Sequence, residues 1–174
     1  MNMESAVLLG ELNTLKEKAF DPLLLLCSEF MAEPESQEYK AVGFTLNQKT
    51  VQYRCAKVTP TKIGQFVTLW KRDGVGEEIR PYHVSDNLDL AIIAANQGNR
   101  QGYFIFPHFV LKKQGIVQDN KPGKRGFRVY PIWDKPTSKQ ALKTQAWQLE
   151  YFFELSVDCE LNLESIKPLF HCVL

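Results

Sequence analysis

No stretch of the 174-residue chain approaches the roughly 18 consecutive apolar residues that a membrane-spanning helix needs. Runs such as Pro22 to Cys27 are far too short, and the N-terminus lacks a basic region followed by an apolar one. No signal peptide and no membrane partner are therefore expected, and the chain reads as cytoplasmic. The four cysteines (Cys27, Cys55, Cys159 and Cys172) form no C-x-x-C pair, which argues against a structural metal site and against a disulfide framework. His83, His108 and His171 lie far apart. No serine or cysteine stands in a nucleophile-elbow or papain-like setting, and no G-x-x-x-x-G-K-[ST] loop is present. Triad hydrolases and P-loop enzymes are thus set aside, and no resident cofactor or metal is expected.

What is present is an ordinary globular composition with an uneven distribution of charge. The formal net charge is only +1. Residues 1–38 nevertheless hold Lys16 and Lys18 against eight acidic side chains, and residues 144–174 hold Lys167 against five. The middle of the chain therefore carries 18 basic and seven acidic residues, a net +11. Its cations gather twice, as Arg54, Lys57, Lys62, Lys71 and Arg72, and again between Lys112 and Lys143. If the clusters share a face they attract a polyanion, with an affinity that falls as salt rises. The alternative is that the acidic ends pack beside the basic middle and neutralise it.

Apolar spacing predicts an amphipathic helix over residues 4–18, through Ala6, Leu8, Leu9, Leu12 and Leu15. Asp21-Pro22 predicts the start of a second short helix running to about Met31. Val42–Leu46 and Thr50–Val58 read as a hairpin about Asn47-Gln48-Lys49, and residues 65–71 as a third strand. Residues 79–83 are expected to be extended. Residues 89–96 and 103–106 read as a second hairpin about Gln97-Gly98-Asn99-Arg100, followed by a short helix over 109–114 and a strand over 127–132. The strongest helical pattern covers 138–155, with Ser138 as cap and Leu142, Ala146, Leu149, Phe152 and Phe153 as the core stripe. A last capped turn over 162–170 is expected to dock on the surface. Together these elements predict a single α+β domain over residues 1–174. Its N-terminal helices would span 4–31, and a central mixed, mostly antiparallel sheet would be flanked by helices.

The run from Arg54 to Arg72, RCAKVTPTKIGQFVTLWKR, resembles the signature of the bacterial MepB family. The similarity continues through Glu35–Tyr39, Gly102–Pro107, Gly123–Pro131 and Lys143–Gln148, so it spans about residues 35–150. It implies a fold like that of the PD-(D/E)XK restriction-endonuclease superfamily and a nucleic-acid-binding role, to DNA or RNA. Nucleases of that superfamily use carboxylates to hold Mg²⁺ and a lysine beside the attacking water. This chain offers no convincing copy: Glu38-Tyr39-Lys40 precedes the expected sheet, and Asp86 and Asp89 are followed by Phe104-Ile105-Phe106 where charged ligands would be wanted.

The expected function is therefore nucleic-acid binding on a nuclease-like fold without conventional catalysis. Lys57, Lys62, Lys71, Arg72, Lys124, Arg125 and Arg128 are the phosphate-neutralising candidates, with Thr59, Thr61 and Gln65 donating positional hydrogen bonds. The competing view of the first cluster is a lysine-protected edge strand. The competing view of Gly123-Lys124-Arg125-Gly126 is a solvated turn. Trp70, Tyr103, Tyr130, Trp133 and Trp147 are candidate stacking platforms, most of them expected in the core and Trp133 the best placed for exposure. Two rival functions remain: an Mg²⁺-dependent nuclease with an atypical site around Glu38, Asp86 and Asp89, and a small-molecule or protein-binding module linked to drug response.

Overall fold

The structure, a computed structural model, describes residues 3–174. Along the chain run α1 (Met3–Leu15), β1 (Met31–Ala32), β2 (Val42–Leu46), β3 (Lys49–Cys55), β4 (Lys57–Val58), β5 (Gln65–Thr68), β6 (Trp70–Lys71) and β7 (Arg80–Pro81). They are followed by β8 (Leu90–Gln97), β9 (Arg100–Pro107), α2 (His108–Lys113), β10 (Gly126–Val129), α3 (Lys139–Leu149), β11 (Phe152–Glu154) and α4 (Leu163–Ile166). The result is an α+β fold with a six-stranded sheet in the order β1-β2-β3-β8-β9-β11, antiparallel everywhere except at β3–β8. A three-stranded sheet, β10-β5-β4, and a two-stranded ribbon, β6-β7, complete it.

Side chains on a strand alternate between faces, so the central sheet serves two cores. Val51, Tyr53, Ile92, Ala94, Tyr103 and Ile105 point toward α1 and the C-terminal segment, where Leu8, Leu12, Leu15, Phe20 and Phe170 meet them. Ala91, Ile93, Ala95, Phe104 and Phe106 point the other way, onto Val67, Val110, Leu111 and Val129 of the small sheet and α2. Because β8 and β9 are covered on both sides, they read in sequence as near-continuous apolar runs. Their turn is the two-residue Gly98-Asn99, with Gly98 at φ +59 as a tight hairpin requires.

Five expectations are corrected. The helix over 21–31 does not form. A π-helical turn over Lys16–Phe20 ends the N-terminal helix, Leu24 adopts a left-handed φ of 59°, and the chain then runs as an edge strand beside β2. Ser28 donates its amide to the Thr45 carbonyl at 3.0 Å and accepts the Thr45 amide on its hydroxyl at 2.8 Å. The sheet edge thus satisfies backbone groups that a short isolated helix would leave to water. The strand over 65–71 breaks at Leu69, placing β5 and β6 in different sheets.

The helix over 138–155 stops at Leu149, because Phe152–Glu154 pairs with β9 as β11. Its assumed core stripe is also displaced. Leu142 and Ala146 are exposed, and the helix turns Ala141, Thr144, Gln145 and Gln148 inward instead. Gln148 accepts the Tyr130 amide and donates to the Arg128 carbonyl, both at 2.8 Å. Gln145 donates to the carbonyls of Pro131 and Asp134 at 3.0 and 2.9 Å. Side-chain amides here take the place of another strand along the free edge of β10, so the inward face must be polar. Lastly, the C-terminal turn is not a surface appendage: Ile166, Phe170 and Val173 are buried, and the Phe170 ring lies edge-on to Phe20 at 5.8 Å.

Candidate functional site

The register of the small sheet sets Lys57 opposite Phe66 and Phe66 opposite Arg128, so the three side chains form one outward row across β4, β5 and β10. Phe66 lies edge-on to the Tyr39 ring at 6.2 Å, and the cations of Lys57 and Arg128 lie 5.1 and 6.0 Å from the Tyr39 and Phe66 centroids. Gly126 leaves room for the Phe66 ring; a Cβ there would come within 2.6 Å of it. Arg128 also draws the 59–64 loop onto β10, donating to Thr59 Oγ1 at 2.8 Å and to the Gly64 carbonyl at 3.2 Å. Thr59 is thereby engaged within the fold. So is Gln65, which is buried and donates to the Asn96 carbonyl at 3.1 Å, tying the small sheet to the large one. Thr61 and Lys62 stand exposed at the tip of that loop.

Three members of the first basic cluster are matched by carboxylates. Lys57 faces Glu38 at 3.7 Å, Lys71 faces Asp86 at 3.3 Å, and Arg72 faces Glu35 at 2.8 Å while also donating to the Glu77 carbonyl. Arg54 is buried behind them, donating to Gln52 Oε1 and to the Tyr53 carbonyl at 2.9 Å each, and burial lowers its pKa from the ordinary value. The ribbon is held by Arg80, which bridges Asp73 at 2.6 Å and Asp86 at 2.7 Å.

The three carboxylates considered for catalysis do different local work. Asp86 accepts from both Arg80 and Lys71 and from the His83 amide, and the Arg80 guanidinium first of all holds its carboxyl well below the usual carboxylate range. Asp89 receives the Thr50 amide at 2.8 Å. Glu38 is an exposed partner of Lys57. Among the described residues, no three His, Cys, Asp or Glu side chains converge as a metal-holding group.

The second basic cluster is arranged differently. Lys124 and Arg125 are exposed and, among the described residues, form no ion pair. Their backbone is fixed: the Lys124 amide donates to the Ile116 carbonyl, and the Arg125 carbonyl accepts the Leu69 amide, both at 2.9 Å. Between this loop, β10 and α3 lies a cleft of about 450 Å³. Lys124, Arg128, Tyr130, Ser138, Gln140 and Thr144 give it cationic, hydroxyl and amide groups, and Trp147 adds a half-buried indole. Among the described residues, no carboxylate lines it. On α3, Lys139 and Lys143 are exposed and likewise unpaired among the described residues.

The structure therefore joins Lys124 and Arg128 in one cleft and sets Lys57 on the same outward row as Arg128, while Lys71 and Arg72 stand apart on the ribbon. Trp133, expected to be the most exposed indole, is covered instead, its ring lying under the Arg100 guanidinium at 4.8 Å and against Phe152 at 5.9 Å. Trp70 lies beside Arg72, Tyr103 is buried, and Tyr130 packs over Gly64 while lining the cleft. Sequence reading missed the contribution of α3. The available signal was the polar series Thr144, Gln145 and Gln148, which recurs at helical spacing on one face.

A family model described as MepB-like matches residues 33–154. A solved structure described as "Crystal Structure of MepB" is similar at a TM-score of 0.71 and 34% identity, covering 88% of this chain and 97% of that one. No curated protein matches the chain in sequence.

Proposed function

The chain belongs to the MepB-like family, and from that premise we propose that it binds nucleic acid, with the cleft between β10 and α3 as the phosphate-binding surface of a restriction-endonuclease-like fold. The observation that carries this reading is the cleft lining: Lys124 and Arg128 with hydroxyl and amide donors and no opposing carboxylate. Phosphate oxygens accept hydrogen bonds from all of these groups, and such contacts fix position without reading base sequence. The surrounding segment strengthens it. Residues 121–143 carry seven basic side chains against Asp134 alone, so the local field favours a polyanion even though the whole chain is nearly neutral. The mixed central sheet with its parallel β3–β8 pair is what supports relating the fold to the nuclease-like superfamily.

Fluorescence anisotropy with labelled DNA and RNA over a salt series tests the assignment. Binding is expected to weaken linearly in log–log form, and replacing Lys124 and Arg125 together by Glu is expected to weaken it equally for unrelated sequences. Because both side chains are exposed and unpaired, the variant should melt with the wild type. Unchanged affinity in that folded variant would remove the cleft from the binding surface.

A further inference from the structure

Of the twenty aromatic side chains, all of them among the described residues, Phe109 alone is exposed, at 60%. It sits on α2, where residues three and four apart share a face, so Lys112 and Lys113 flank its ring. Together with Val117, Asp119 and Lys121 they line a shallow groove of about 390 Å³. Asp119 pairs with Lys112 at 3.3 Å, leaving Lys113 and Lys121 without a carboxylate partner among the described residues.

This groove and the cleft are the two flanks of one turn. Gly115 and Val117 line the groove, whereas Gln114 and Ile116 line the cleft, and the loop that gives Lys121 to the first gives Lys124 to the second. The turn is fixed by amide donation from Gln114 to Val110, from Gly115 to Lys112 and from Ile116 to Leu111, and the loop is pinned to it by Lys124 donating to Ile116. A cleft lined by no carboxylate among the described residues, two unpaired lysines and an uncovered aromatic ring thus lie around one turn. A chain of phosphates with bases between them matches that order of charge and π surface; a duplex does not, because its base faces are already stacked.

We propose that a single strand lying in the cleft crosses the 114–117 turn and stacks one unpaired base on Phe109, with Lys113 and Lys121 on the adjoining phosphates. This rests on the reading of the cleft as a phosphate-binding surface and adds the class of ligand: single-stranded nucleic acid or a duplex with a single-stranded end.

The test uses the full chain with single-stranded and duplex oligonucleotides of about 12 nucleotides, within the span such surfaces cover. The single strands carry 2-aminopurine at successive positions. Wild type should quench the probe at one position and prefer the single strand. Phe109→Leu should weaken single-strand binding by roughly 5- to 150-fold, the loss expected for one stacked base, and should abolish the quenching. Phe109→Trp should retain both, and duplex affinity should be the same in all three proteins. Equal single-strand affinity in wild type and Phe109→Leu overturns the stacking role while leaving the cleft reading intact. The same holds if Phe109→Leu instead loses binding to vesicles containing anionic lipid, which would make the ring a membrane contact. Absence of any nucleic-acid binding by wild type at low salt overturns the cleft reading and the stacking role with it.

Discussion

Asp86 is expected to be the residue whose removal most loosens the ribbon that borders the first basic cluster. Its side chain is 11% exposed and accepts Arg80 at 2.7 and 3.0 Å, Lys71 at 3.3 Å and the His83 amide at 2.7 Å. Arg80 and Lys71 remain about a third exposed and Arg80 keeps Asp73, so the loss lies between that of an exposed pair and the roughly 3–5 kcal/mol of a buried one, and Asp86→Ala should cost about 2 kcal/mol. At about 2–4 °C per kcal/mol for a chain of this size, that is a fall in Tm of roughly 4–8 °C. The pH dependence follows from the direction of the shift. The folded carboxyl ionises well below the unfolded one, so its stabilisation is fully present above about pH 4, where the unfolded group titrates, and is lost as pH falls through the folded value. In thermal melts from pH 7 to pH 3 the gap between wild type and Asp86→Ala should therefore stay constant down to about pH 4 and begin to narrow below it. Equal melting at pH 7, or a gap that widens in acid, would refute the reasoning. The same measurement bears on any test of Asp86 as a catalytic carboxylate, since activity lost in a loosened variant would report the ribbon rather than the chemistry.

Other consequences are equally direct. Gln148→Leu removes both partners of the β10 edge, leaving the Tyr130 amide and the Arg128 carbonyl unpaired beside α3. A stability loss of about 2–4 kcal/mol is expected in denaturant unfolding. Gly102→Ala places a methyl group into the Phe152 ring and against Trp133, which should cost about 1–3 kcal/mol by overpacking and be visible in the same assay. Neutralising Lys124 alone, Lys124→Ala, should lower the slope of log affinity against log salt by about 0.7 on single strands, read by anisotropy; an unchanged slope would show that this lysine meets no phosphate.

The central hairpin was legible because its signals are local: two apolar runs of β-forming residues about Gly98-Asn99 leave little alternative. The first hairpin about Asn47-Gln48 was legible for the same reason, both turn residues taking positive φ. Where partners are distant, pattern alone misleads. The leucine-rich stretch after Pro22 has the composition of a helix, yet hydrogen bonds to Thr45 and Asn47, on either side of the Cys27–Leu46 bridge, make it an edge strand. Leu142 and Ala146 mark an apolar face of α3, yet the helix lies on unpaired backbone of β10, which selects glutamines. The clustering of cations was visible, but not its resolution into a matched set and an unmatched one. That depends on Glu35, 37 residues from Arg72, and on Asp86, 15 residues from Lys71. Phe109 gave no sign in sequence that it would be the one uncovered ring.

The lone parallel pairing in the central sheet also orders the way the molecule comes together. β2–β3 and β8–β9 are hairpins whose strands meet locally, so each can form on the microsecond scale, whereas the β3–β8 seam must wait for a long loop to close. Asp89 clasps that seam at one end, donating its amide to the Thr50 carbonyl at 3.0 Å and receiving the Thr50 amide on its carboxylate, across 39 residues of chain. β4 and β5 belong to the excursion within the loop, while β10 arrives from beyond β9. β4–β5 can also pair locally, but β10 can join β5 only after the chain has passed through β8 and β9, so the docking of β10, which completes the basic cleft, is expected to follow closure of the seam.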